Sequence, residues 1–222
     1  MMRKLLSTTL AVGAMSLASV SHAGFIAIDN VSPAGQTDVV ASNNNFAVEL
    51  ASLGIGTYAT GYSLATDVAG TVSFYYYGKE AAYNNEFRTA GLPAYSTGYS
   101  SYESYFGSPI ELGTITVGPG LLDFSFCAYD NGASVGCVSN LANDGLGMGA
   151  RQSIAMYITD STAWLFWDDS GAGPDDNHDD MIIKAVFRPT EVPEPATGAL
   201  LGLGLLAMGA AARGRRNSNK AI

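Results

Sequence analysis

Between Gly24 and Thr190 the apolar residues come in short runs, and each run is bounded by Gly, Asn, Asp, Ser or Pro. Several runs alternate: Val72, Phe74 and Tyr76 fall on one face of 71–77, and Ile115 and Val117 share a face of 114–117. A period of two sets one face of an extended segment on a core and the other toward solvent. The pattern predicts strands at 25–28, 46–50, 71–77, 112–117, 121–129, 154–159, 163–167 and 181–187. Many short strands separated by turn residues predict an all-β fold, an antiparallel, jelly-roll-like β-sandwich over 24–190. No strand–helix alternation supports a parallel α/β sheet, and no fixed period marks an internal repeat.

The two ends do not share this pattern. Arg3 and Lys4, an apolar stretch over 5–20 and a small-x-small ending at Ser21-His22-Ala23 read together as a signal peptide, 1–23, for Sec-type export. Small and apolar residues surround the whole stretch, which argues against an amphipathic first helix. Cleavage after Ala23 makes Gly24 the mature N-terminus. At the other end, Val192-Pro193-Glu194-Pro195 places two prolines in three residues, which ends any strand and holds the backbone extended. Residues 196–212 follow without a charge, a helix about 26 Å long and a marginal membrane span. Arg213, Arg215 and Arg216 come at once, and by the positive-inside rule they stay cytoplasmic with the 217–222 tail, leaving the folded domain outside.

Setting the ends aside changes the charge. Residues 24–190 hold five cations (Lys79, Arg88, Arg151, Lys184 and Arg188) against 18 carboxylates, a net of −13 where the whole chain carries −9. Such a surface repels nucleic acid and anionic lipid and favours divalent cations. Cys127 and Cys137 are the only cysteines. In an oxidising compartment one disulfide is the simplest pairing, contributing roughly 3 kcal/mol on a chain-entropy estimate. Two free thiols are the alternative.

Asp168, Asp169, Asp175, Asp176, Asp179 and Asp180 crowd one inter-strand loop, and Asp175, Asn177 and Asp179 alternate as D-x-N-x-D. Like charges so close call for a cation or for water. The loop fails as an EF-hand, having Asp180 where Gly is needed and Val186 where Glu is needed. Two readings stay open. In one, Asp168, Asp169, Asp175, Asn177, Asp179 and Asp180 bind calcium in another geometry; in the other, the loop is a solvated acidic turn. His178, the one histidine after the leader, reads as a solvent-facing turn residue rather than a soft-metal ligand. Its isolation, with no Gly-x-Ser-x-Gly elbow, phosphate loop or dinucleotide fingerprint, argues against an enzyme. Tyr95, Tyr99, Tyr102 and Tyr105 line a Tyr/Ser/Gly-rich segment, suited either to stacking on sugars or to packing on the domain itself.

Val-Pro-Glu-Pro, a short Gly/Leu/Ala helix and an Arg cluster at the extreme C-terminus resemble the PEP-CTERM sorting signal, over 191–216. The resemblance implies recognition by an exosortase, an integral-membrane cysteine protease or transpeptidase, with Pro193, Glu194 and Pro195 recognised and Arg213, Arg215 and Arg216 as the cytoplasmic stop. It further implies transient inner-membrane anchoring, then release or attachment at the surface of a cell that makes exopolysaccharide. Two inner segments also resemble parts of some proteins with this tail: Gly78-Lys-Glu-Ala-Ala-Tyr-Asn-Asn85, and the acidic hairpin from Trp167 to Ile183. The expectation is a structural or adhesive surface or matrix protein. A carbohydrate-binding module is the alternative, and a secreted hydrolase the third.

Overall fold

The computed structural model describes residues 23–29, 36–142, 152–170 and 177–190. The signal-peptide residues before Ala23, Asp175, Asp176 and the whole tail from 191 onward, including Val192–Pro195 and Arg213–Arg216, lie outside the described residues. β1 (Phe25–Asp29) and β2 (Gln36–Val39) are followed by a short helix, α1 (Ala47–Ser52), then by β3 (Thr57–Thr60), β4 (Tyr62–Thr66) and the long β5 (Gly70–Glu80). β6 (Asn84–Thr89), β7 (Tyr95–Ser96), β8 (Tyr102–Ser104), β9 (Ile110–Val117) and β10 (Gly120–Leu121) come next. The remaining strands are β11 (Phe124–Asp130), β12 (Ala133–Ser139), β13 (Ser153–Ile158), β14 (Thr162–Asp168) and β15 (Met181–Pro189).

All the ladders among the described residues are antiparallel, so the all-β, antiparallel expectation holds. The large sheet runs β2-β3-β13-β14-β15-β5-β8, with β9 also pairing β5. A four-stranded sheet has the order β12-β11-β6-β7, and a three-stranded sheet has β1-β4-β10. One apolar layer draws on all three. Val72, Phe74 and Tyr76 of β5, Leu165 and Trp167 of β14 and Ile183 of β15 are fully buried in it. Phe87, Phe124 and Phe126 meet them from the four-stranded sheet, and Phe25 and Leu64 from the three-stranded one. Each such side chain contributes about 1.5–3 kcal/mol by leaving water.

The period-two rule also explains the far side of the large sheet. Trp164 and Phe166 alternate with Leu165 and Trp167, and they join Phe46, Leu50, Ile55, Tyr58 and Ile182 in a second cluster. Here the strand expected at 46–50 is corrected. Phe46 and Leu50 are fully buried while Val48 is 81% exposed. A strand would put all three on one face; a helical turn brings residues four apart together and turns Val48 out. The run expected at 121–129 is likewise two strands, because β10 pairs with β4 whereas β11 pairs with β6. The chain changes sheet between Leu121 and Phe124.

Cys127 and Cys137 are bonded, and they face each other across the β11–β12 ladder with Cα atoms 4.0 Å apart. The hairpin turns on Asn131-Gly132, both with positive φ (47° and 84°), the two-residue geometry that Asn-Gly favours.

Candidate functional site

Two segments singled out in the sequence meet in the interior. Gly78–Asn85 is the corner where the chain leaves β5 in the large sheet and enters β6 in the four-stranded one. A corner strands backbone carbonyls, and Lys79 reaches inward to satisfy them. Its Nζ donates to Tyr83 O (2.8 Å), Gly98 O (3.1 Å) and Thr97 Oγ1 (3.2 Å), and its side chain is fully buried. Burial holds the ammonium below its usual pKa, against the opposing pull of Glu103, Asp169 and Asp180.

Asn85 ends the corner and touches the acidic loop. Its Nδ2 donates to Asp169 Oδ2 (2.7 Å) and Asp180 O (3.0 Å), while Trp167 Nε1 donates to its Oδ1 (3.2 Å). Its backbone exchanges bonds with Thr97, through Asn85 N to Thr97 Oγ1 (3.1 Å) and Thr97 N to Asn85 O (2.9 Å). Asn85 therefore ties β6, the segment after β7 and both arms of the β14–β15 hairpin into one network.

The described part of the acidic loop is interior. Asp168 and Asp179 are fully buried, and Asn177, Asp169, His178 and Asp180 are no more than 6% exposed. This corrects the solvated-turn reading for those residues. Each of the four carboxylates turns one oxygen to a donor. Asn45 N reaches Asp179 Oδ2 (2.6 Å), Asp169 N reaches Asp180 Oδ2 (2.7 Å), Ser170 N reaches Asp168 Oδ1 (3.0 Å), and Asn85 holds Asp169. Asn44 closes the loop from the α1 side, donating from Nδ2 to Asn177 O (2.8 Å). Desolvation, then the charge of Asp169, pushes the Asp180 carboxyl up to about 9. Among the described residues no three His, Cys, Asp or Glu side chains are gathered closely enough to hold a metal ion.

The expectation that His178 faces solvent is also corrected. It takes a left-handed backbone conformation (φ 54°), its Nε2 lies 2.8 Å from Ser153 Oγ, and its ring packs 5.2 Å from Tyr58. A left-handed residue turns the chain back on itself, here into the sheet. The spacing suits a nucleophile and base, yet Ser153 is as buried as its partner.

The tyrosine-rich segment is divided among several contacts. Tyr95 and Tyr105 pack on the core ring of Tyr76, with centroids at 4.9 and 5.6 Å. Tyr102 stacks on Phe46 at 5.5 Å, and the Tyr99 hydroxyl accepts from Gly132 N at 2.8 Å. The rings left half-exposed are Tyr99 and Tyr102. Sequence reasoning missed a different group of rings. A cleft of about 310 Å³ near β1, β3 and β13 is lined by Tyr58, Tyr62 and Tyr157 with Met156, Thr37 and Thr57.

The two described lysines are drawn away from solvent, whereas Arg88 and Arg188 stay exposed. Lys79 is interior, Lys184 lies over the Trp164 and Tyr77 rings at 5.1 and 6.0 Å, and Arg88 is engaged by Glu86 and Tyr129. Among the described residues no helix is long and apolar enough to cross a membrane. The expected span at 196–212 lies outside them.

No curated protein and no solved structure matches the chain. Residues 191–216 match the PEP-CTERM protein-sorting motif. The tail therefore marks an exported protein that passes through a membrane-anchored stage and is processed by an exosortase.

Proposed function

We propose that the mature protein is a non-enzymatic structural or adhesive component of the cell surface or extracellular matrix, built on a β-sandwich and stiffened by calcium at the acidic loop. The observation that carries the reading is the burial of Asp168, Asp169, Asp179 and Asp180 beside a sorting tail. Burial and the charges of Asp169, Asp168 and Asp179 raise the proton affinity of Asp180, and a divalent cation relieves the same repulsion that a proton relieves. The described carboxylates do not by themselves gather a metal-holding group, so this proposal assigns the remaining ligands to Asn177 and to Asp175, which lies outside the described residues. The Ser153–His178 contact is read as an internal hydrogen bond because both groups are shut off from solvent.

Thermal melting in chelator and in millimolar calcium tests the cation. A midpoint that rises with calcium, and no longer does so in Asp179→Asn, supports it, since a ligand that binds only the native state must stabilise it. An unchanged midpoint removes calcium from the proposal. Pull-down on isolated exopolysaccharide tests the adhesive role.

A second reading, a carbohydrate-binding module, is supported by the uncharged tyrosine cleft rather than by Tyr95, Tyr99, Tyr102 and Tyr105. Stacking of sugar rings on Tyr62 or Tyr157 would be lost on replacing both by alanine, measured by affinity electrophoresis in neutral glycans.

A further inference from the structure

β1 enters the core directly after Gly24. Gly24 is buried, and Phe25 packs its ring 5.5 Å from Phe187 and donates its N–H to Asp160 O at 2.7 Å. The Gly24 nitrogen donates to Asp67 Oδ1 at 2.8 Å, and the Asp67 nitrogen donates back to the Gly24 carbonyl at 3.3 Å. Only glycine fits here. A Cβ on residue 24 would lie 2.1 Å from the Asp160 carbonyl oxygen, a backbone atom that cannot swing aside. So a half-buried carboxylate is held against the one nitrogen that becomes a chain terminus if the leader is removed after Ala23.

We propose that Asp67 is a docking site for the α-ammonium of Gly24, so that leader removal creates an ion pair that the precursor lacks. The proposal rests on cleavage between Ala23 and Gly24. Hydrolysis adds one water across that bond. The hydroxyl goes to the Ala23 carbonyl carbon, and the proton goes to the Gly24 nitrogen, which takes up a further proton below the usual α-amino pKa of roughly 8. A neutral amide N–H facing a carboxylate thereby becomes a charge-assisted hydrogen bond, about twice as strong. In the precursor the same contact is the weaker one, and β1 is less firmly held. The new terminus then pins the first strand to the turn after β4.

The test is a double-mutant cycle on the exported full chain. One arm inserts a single serine between Ala23 and Gly24, which moves the ammonium out by one residue and leaves an amide at Gly24. The other arm is Asp67→Asn. Intact mass first establishes where each mature chain begins. The insertion is expected to lower the melting midpoint by about 2–4 °C in the parent chain and to change little in Asp67→Asn, because the partner is already gone. Equal losses in both backgrounds would overturn the ion pair and leave only a steric effect of the extra residue. A native mature chain that begins elsewhere overturns the cleavage reading and native docking with it. A chain engineered to begin at Gly24 would then still report whether Asp67 couples to a terminal ammonium, so the two failures are told apart.

Discussion

Buried polar side chains are what this protein's residues add to a plain β pattern. Asn85 is the test case, with both amide atoms committed to Asp169, Asp180 and Trp167 in the interior. Asn85→Ala removes the amide donor from Asp169 Oδ2 and from the Asp180 carbonyl, and the acceptor of the Trp167 indole N–H, at about 1–3 kcal/mol for a buried group that loses its partner. We expect urea melts to show a loss of about 3 kcal/mol, while far-ultraviolet circular dichroism keeps its β signature. Gly78 offers a second test. A Cβ there would sit 2.4 Å from the Glu103 carbonyl oxygen and 3.1 Å from the Phe46 ring, and φ is +156°. Gly78→Ala should lower the midpoint more than Gly54→Ala, whose Cβ meets nothing within 4 Å. Neither role shows in hydropathy. Asn140 makes the same point: its side-chain amide pairs with both N–H and carbonyl of Leu64, as a strand would, and nothing in an Asn-Leu-Ala run announces that.

At the scale of elements, the sequence was legible in the longer core strands, whereas β3 and β4, which reach the core through Tyr58 and Leu64, carry too short an apolar signal to be read. β5, β13, β14 and β15 all lie where alternation or a bounded apolar run put them, and Val72, Phe74 and Tyr76 are buried together as their spacing required. β6 escaped because its inward residues are Asn85 and Phe87, half of them polar. α1 was misread because five residues cannot separate a period of two from one of 3.6 when the middle residue is apolar. The acidic hairpin was located but not its burial, since a loop's solvation depends on partners as remote as Asn44 and Asn85. Its titration gives a signed prediction. Asp180 takes up its proton with a folded pKa of about 9, far above its ordinary value of 3.8. Stability from this group is therefore fully present below pH 4 and lost as pH rises toward 9. The lowered pKa of Lys79 acts in the opposite direction at the alkaline end, where the unfolded chain holds the proton longer. In chelator, the urea midpoint should fall between pH 5 and 8 if Asp180 dominates. A calcium ion that takes the proton's place should flatten the fall, and the same series in calcium measures it. A midpoint that rises with pH in chelator would exclude a protonated Asp180.

For the whole molecule, the described domain and the tail divide the work. The domain is acidic, with Lys79 drawn inside and Lys184 laid on aromatic rings, so it has little to hold it to an anionic membrane surface. The tail match implies export and a membrane-anchored stage before exosortase processing. The tail was the most legible part of the sequence because its signal is local: two prolines, an uncharged run and an arginine cluster need no tertiary partner to be read. Replacing Pro193 and Pro195 by alanine removes the two prolines but leaves the apolar run and the arginines. In a host with a matching exosortase, the parent chain should give a mature species whose intact mass lacks everything after the Pro-Glu-Pro segment. The double variant should stay in the membrane fraction with Ile222 still at its end. Replacing Arg213, Arg215 and Arg216 by glutamine is the complementary case, because it weakens the cytoplasmic stop without touching the recognition residues. A double variant processed as fully as the parent would show that the prolines are not what the enzyme reads, and would shift recognition to the helix and its arginines.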